Sequence, residues 1–157
     1  MATLEKALEI AAAAHAGQKD KQGKPYLTHP LSVMGRVDDE QAQIVAVLHD
    51  VVEDTDVTAD DIRRAGFSAA ILDALALVTH DKQQPYADYV VACKGNPTAR
   101  QVKLADLAEN HRLERAILRP ATVERDLARM NRYLFSYKFL TDQLSEADYR
   151  DLMARFG

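Results

Sequence analysis

The chain has 157 residues, 47% of them hydrophobic, enough to bury one sizeable core and too few for two domains to be expected. A formal net charge of −4 argues against a general nucleic-acid binder, which would present a basic face, and the single cysteine, Cys93, excludes a disulfide scaffold or a cysteine-rich metal site and suits a reducing compartment. The N-terminal stretch MATLEKALEIAAAAH carries Glu5, Lys6 and Glu9 among its apolar residues, so it reads as neither a signal peptide nor a membrane span, and a cytoplasmic protein is expected.

Glycine and proline are scarce and no segment alternates polar with apolar for long, so helix should dominate. Thr3 can cap a first helix with Leu4, Ala7, Leu8 and Ala11 on one face, ending near Gly17. A polar loop, QKDKQGKPYLTHP, leads to a short second helix with Pro30 expected at its first position after Thr28 or His29. A third helix is expected from about Glu40 to Asp54, then a turn at Val57 and Thr58 and a short capped helix, TADDIRRAG. Ser68 caps SAAILDALALVTH, and YADYVVAC follows the polar segment HDKQQPY. Asn96 and Pro97 open a long helix expected to reach about Ile117, broken before Pro120. Thr122 begins TVERDLARMNRYLFSYKFLTDQ, and Ser145 with Asp148 starts the last helix. The expectation is an all-α chain, one irregular bundle of seven to nine helices forming a single domain over residues 1–157.

Two segments carry chemistry. In the third helix, at 100° per residue, Ile44, Val45, Val47, Leu48, Val51 and Val52 fill one side, while His49, Asp50, Glu53 and Asp54 gather on the other with Ala42 and Ala46. An amphipathic helix with a solvated face accounts for that pattern too. Acidic residues in a last turn, however, oppose the helix dipole at ~0.3–1 kcal/mol each, so three carboxylates there call for a cation. The small Ala42 and Ala46 let another helix approach where a solvated face would carry longer side chains. In VKLADLAENHRL, residues 102–113, Asp106 and Asn110 lie within the stripe of Ala99, Val102, Leu113 and Ile117, the face expected to be buried. A carboxylate there is costly unless paired, hydrogen-bonded or bound to metal. With His29, a candidate set of two imidazoles and two carboxylates emerges, His29, His49, Asp50 and Asp106, whose nitrogen and oxygen donors suit Mn²⁺, Fe²⁺ or Zn²⁺ and not calcium.

The motifs AAAAHAGQ (11–18), GKPYLTHP (23–30), LHDVVEDT (48–55) and VKLADLAEN (102–110), in this order, resemble the HD-domain phosphohydrolases, and among them the hydrolase domain of the RelA/SpoT family and its stand-alone small alarmone hydrolases. The resemblance covers roughly residues 4–117, with the C-terminal helices at 122–156 beyond it. It implies an all-α fold and one Mn²⁺-type ion on His29, His49, Asp50 and Asp106, with Glu53 and Asp54 handling the attacking water and Asn110 at the nucleotide. The implied reaction removes the 3′-diphosphate of guanosine tetra- or pentaphosphate. Glu53, one turn beyond His49, is the favoured base, with Asp54 sharing or relaying the proton. Lys21, Lys24 and Lys103 are candidate phosphate binders, although exposed loop lysines also serve solubility; Lys103 lies one turn from Asp106. His15 reads as a packing residue, and His80 and His111 as surface or interhelix groups. The aromatics Tyr133, Phe135, Tyr137 and Phe139 read as core or as a contact of a homo-oligomer.

The sequence departs from the family pattern at two places. Asp20 stands where an arginine of the nucleotide pocket is usual, and Leu113 where a threonine is usual. These leave the metal residues intact and put the guanine and ribose contacts in question. Two other readings therefore stand beside the alarmone hydrolase: an HD phosphohydrolase acting on another nucleotide, and a non-catalytic helical module that senses a nucleotide. A small-molecule nucleotide is the expected partner, with no nucleic acid and no membrane.

Overall fold

The computed structural model describes residues 1–157, which form nine α-helices and one 3₁₀ turn. They are α1 (Leu4–Ala14), α2 (Thr28–Met34), α3 (Glu40–Asp54), α4 (Ala59–Arg64), α5 (Ala69–Val78), α6 (Tyr86–Lys94), α7 (Pro97–Asn110), α8 (Val123–Leu140) and α9 (Glu146–Phe156), with the 3₁₀ turn at Pro120–Thr122. No strand is present; the only sheet-like feature is an isolated bridge between Lys19 and Pro25 that closes the loop before α2. No helix is long and apolar enough to cross a membrane.

Local chemistry explains most helix starts. The side chains of Thr3, Asp39, Thr58, Ser68, Asn96 and Ser145 each accept a backbone N–H from the first turn that follows, satisfying donors that have no intrahelical partner. Asp39 was not anticipated as a cap. Gly17, at φ 77°, turns the chain after α1, which stops at Ala14, a few residues before the expected end. Pro30 is the third residue of α2, not the first; its missing N–H costs nothing there, because the first four helical N–H groups are unpaired in any case.

Helix α3 runs through the centre, packed against α1, α2, α5 and α7. Ala42 and every residue from Ile44 to Val51 are buried, so the helix is enclosed nearly all round in its middle turns. Fully burying a residue such as Leu48 contributes ~1.5–3 kcal/mol. Ala7, Ala11, Ala42 and Ala46 have no exposed surface at all, and their small size lets α1 and other neighbours lie close against α3.

The largest departure from expectation lies after α7. That helix ends at Asn110, and residues 111–119 form a loop where helix to about Ile117 was expected. The physical reason is tertiary. Asp126, fully buried on α8, accepts hydrogen bonds from the Arg119 backbone N–H at 3.0 Å and its guanidinium at 2.9 Å, while Arg129 donates to the Ile117 carbonyl at 3.2 Å. The chain must turn back toward α8 to make these bonds. Leu113, assigned to a buried stripe on the assumption of helix, is 86% exposed. Likewise Thr122 does not cap α8 but donates to Asp126 at 3.0 Å, and α8 ends at Leu140, where Asp142 at φ 62° is clamped by Lys94 and Arg100.

Candidate metal centre and adjoining cavity

Three helices bring the predicted ligand set together. The first turn of α2 supplies His29, the third and fourth turns of α3 supply His49 and Asp50, and α7 supplies Asp106. All four are buried. His29 Nε2 lies 3.2 Å from Asp106 Oδ1 and 3.6 Å from Asp50 Oδ2; His49 Nε2 lies 3.1 Å from Asp50 Oδ2 and 3.6 Å from Asp106 Oδ1. One atom each from His29, His49 and Asp106 fall within 4.8 Å of one another, the spacing of donors around a single ion.

The hydrogen bonds outside the cluster indicate what it holds. His49 Nδ1 lies 2.5 Å from the Ala46 carbonyl, which can only accept, so Nδ1 carries the proton and Nε2 presents a lone pair. Nε2 is buried and has no hydrogen-bond partner. It therefore faces two carboxylate oxygens, acceptor against acceptor, an arrangement that is stable only with a cation between them. Without a metal a proton takes that place: burial opposes a charge on His49, but Asp50 and Asp106 outweigh it and hold the imidazole pKa well above its ordinary value. Against the cost of burial, His49 draws the Asp50 carboxyl down to about 2, and Lys103 with the two histidines draws Asp106 well below the usual range. The donors present fit a divalent transition-metal ion.

The surrounding groups fix the ligands. Tyr26 OH donates to Asp50 Oδ2 at 2.7 Å and reaches Asp54 Oδ2 at 3.3 Å. Asn110 Nδ2 donates to Asp106 Oδ1 at 2.8 Å. Lys103, only 6% exposed, bonds Asp106 Oδ2 at 2.9 Å and lies over the rings of Tyr89 and Tyr86, 5.0 and 5.5 Å from their centroids. It is a buried counter-ion to Asp106 that also lines the cleft holding the candidate ligands.

Glu53 and Asp54 stand on the rim of the same cleft, a space of about 270 Å³ that also reaches His80, Tyr86 and Tyr133. Both carboxyls titrate above their ordinary values. For Glu53 burial is the main cause, with Asp50 and Asp54 adding to it and the His80 N–H, 3.2 Å from Oε2, opposing; for Asp54 burial again leads, followed by Asp50. A carboxylate with a raised pKa is a better proton acceptor near neutrality.

Beyond Tyr26, Asn110, Arg115 and Tyr133 the cleft meets a second cavity of about 300 Å³, walled on its far side by the loop before α2 and by Arg129 and Met130 of α8. Lys21 lies on this wall. Lys24 is not brought to either space; its side chain borders a separate polar hollow with Thr28, Ser32 and Glu109. Asp20 lines the second cavity, yet its Oδ1 accepts the backbone N–H groups of Gln22 at 2.8 Å and Lys24 at 2.9 Å, so much of its charge is engaged in closing the loop.

Three residues escaped the reading of the sequence. His80, expected at the surface or between helices, lines the metal cleft, its ring 4.6 Å from that of Tyr89. Arg115 lies on a segment misread as helix. Glu109 is buried between Arg36 at 3.0 Å and Arg112 at 3.2 Å, tying α7 to the turn after α2; a glutamate beside Asn110 carried no local sign of this. His15 is buried as a packing residue, with Nδ1 2.8 Å from Gln18 Oε1. Phe139 stacks on Tyr149 in the core, whereas Tyr137 is exposed.

Residues 7–113 match the family model described as HD domain. Among curated proteins, the guanosine-3′,5′-bis(diphosphate) 3′-pyrophosphohydrolase MESH1 of Homo sapiens is 37% identical over 125 residues, 71% of this chain and 69% of that protein. A GTP pyrophosphokinase of Streptomyces coelicolor is 34% identical over 128 residues, and a guanosine-3′,5′-bis(diphosphate) 3′-pyrophosphohydrolase of Aquifex aeolicus 30% identical over 119, covering 74% and 68% of this chain. The chain spans only 15% and 17% of the length of those two longer relatives. A solved structure described as a metazoan ortholog of SpoT that hydrolyzes ppGpp matches with a TM-score of 0.63 over 99% of this chain and 94% of that one, at 24% identity, which establishes the shared fold. With the HD-domain family model matching residues 7–113, from α1 to the loop after α7, the chain belongs to the HD-domain family.

Proposed function

We propose that the protein is a metal-dependent phosphohydrolase that removes the 3′-diphosphate of guanosine tetra- or pentaphosphate, using one ion of the Mn²⁺ type held by His29, His49, Asp50 and Asp106. The observation that carries this reading is the facing of the His49 Nε2 lone pair and two carboxylate oxygens, in a cleft whose rim bears Glu53 and Asp54. Relatives named as guanosine-3′,5′-bis(diphosphate) 3′-pyrophosphohydrolases support the substrate. A divalent ion bound there supplies Lewis-acid polarisation of a phosphate oxygen and a lowered pKa for water.

The chain's own residues do the rest. Glu53 accepts the proton of the attacking water; its oxygen is oriented by the His80 N–H and its basicity raised by burial. Asp54, linked through Tyr26 to Asp50, takes or relays that proton. Asn110 holds Asp106 in place and borders the second cavity, where Lys21 and the loop before α2 meet the nucleoside end of the substrate. Lys103 keeps Asp106 ionised. We read residues 1–157 as one domain carrying this chemistry.

A second reading, hydrolysis of a different nucleotide, is favoured by one observation: Leu113, largely exposed, borders a separate hollow with Leu107, Leu134 and Tyr137 and does not line the nucleotide cavity, while Asp20 does. Assay of purified nucleotides with Mn²⁺ decides between them. Release of diphosphate from guanosine tetraphosphate is the expected result; inertness toward it with turnover of another nucleotide selects the second reading, and turnover of none leaves only the sensing module.

A further inference from the structure

The loop at residues 111–119 carries three arginines, and two of them are spent. Arg112 pairs with Glu109 at 3.2 Å and Glu114 at 3.5 Å, and Arg119 pairs with Asp126 at 2.9 Å. Arg129, which faces the loop from α8, also pairs with Asp126, at 3.0 Å. Arg115 makes no such pair. Its Nε is inaccessible to solvent and has no hydrogen-bond partner, an arrangement that leaves a strong donor unsatisfied.

Its position gives that donor a use. Arg115 borders both the metal cleft and the second cavity, at the passage between them that Tyr26, Asn110 and Tyr133 also line. The loop that carries it is pinned on three sides: Gln22 donates to the Glu114 carbonyl, Arg129 donates to the Ile117 carbonyl at 3.2 Å, and Arg119 is held by buried Asp126. The backbone beneath the guanidinium is thereby fixed before any ligand arrives, which lowers the entropic cost of binding. The rim and floor of the cleft carry the carboxylates of Asp50, Glu53, Asp54 and Asp106, which repel a polyphosphate. Lys103 is already committed to Asp106. A planar guanidinium, with donors that match two phosphate oxygens at once, is suited to offset that repulsion at the passage.

We propose that Arg115 is a specificity-determining residue that grips a phosphate group of the nucleotide where the metal cleft opens into the second cavity. This deepens the phosphohydrolase reading and rests on it for the identity of the nucleotide. It predicts that Arg115 sets affinity for phosphorylated ligands, while the metal residues and Glu53 set the rate.

The test is calorimetric titration of inorganic pyrophosphate into the Mn²⁺-loaded protein and into Arg115→Gln and Arg115→Lys, with bound metal measured in each. Loss of charge-assisted bonds predicts binding about tenfold to a hundredfold weaker for Arg115→Gln and a smaller loss for Arg115→Lys, at unchanged metal content. Wild-type affinity in Arg115→Gln, loss of metal in that variant, or no pyrophosphate binding by the parent protein overturns the proposal. Should Arg115→Gln fail to fold, Arg115→Lys decides: unchanged affinity there overturns it. In turnover assays the nucleotide KM should rise by a larger factor than kcat falls. If the parent protein hydrolyses no nucleotide, the hydrolase reading fails, and the pyrophosphate comparison still decides the role of Arg115.

Discussion

Two buried charge clusters in this molecule look alike in composition and differ in balance. Around Asp126, one carboxylate meets two guanidiniums, the Thr122 hydroxyl and a backbone N–H, and every lone pair faces a donor. Around Asp106 and Asp50, two carboxylates face two imidazoles, Lys103 answers only one side, and His49 Nε2 is left as an acceptor among acceptors. The first cluster is complete and holds a loop against a helix. The second is complete only when a cation is added, and that imbalance makes it the candidate site.

The sharpest way to break this contrast is to remove one member from each cluster and follow metal content. Asp50→Ala should reduce bound Mn²⁺ to background, measured by elemental analysis after gel filtration, and abolish turnover. Asp126→Asn should retain its metal, and loss of metal there would erase the distinction. Next in size, Glu53→Gln should keep the metal and lose roughly 10²–10⁴-fold in kcat, the range of a general base; a rate within a factor of a few of the parent would remove Glu53 from that role.

Smaller effects concern stability. Adding Mn²⁺ at about a hundred times its dissociation constant stabilises the folded state by ~2.7 kcal/mol, or several degrees in Tm for a chain of this size. The parent protein and Asp126→Asn should both show that rise in a thermal melt, and Asp50→Ala should not. The least effect is in acid. Arg119, aided by Thr122 and Arg129, holds the buried Asp126 carboxyl well below its usual range. A group depressed in the folded state contributes stability above its unfolded pKa, about 3.9, and loses it as pH falls toward the folded value. Urea unfolding of metal-free protein from pH 5 to pH 2.5 should therefore show a flatter decline for Asp126→Asn than for the parent; parallel curves would mean that Asp126 is not stabilised by its partners.

How far the sequence could be read follows from the range of the forces involved. The caps at Thr3, Ser68, Asn96 and Ser145 act within three residues of themselves, and each was legible. The α3 pattern was legible because helical period alone puts His49, Asp50, Glu53 and Asp54 on one side, and Asp106 stood out as a carboxylate in an apolar stripe. The end of α7 was not: neither glycine nor proline lies between Asn110 and Arg119 to stop it, and what stops it is Asp126 on another helix. Lys24 and Lys103 were both candidate phosphate binders, Lys103 the better placed for lying one turn from Asp106; Lys24 borders a separate hollow, and Lys103 is buried against two tyrosines. Arg115 and His80 gave no local signal at all.

The sequence by itself therefore determined an all-helical chain and a candidate set of metal-ligating residues, because periodicity, capping and the cost of burying charge are properties of short segments. Only the tertiary structure decided which charges are satisfied. His29 meets Asp106 across 77 residues of chain, and the Arg115 Nε is left without a hydrogen-bond partner while Arg112 and Arg119 on the same loop are paired. Satisfaction of a polar group depends on every element packed around it, and only the folded chain brings those elements together.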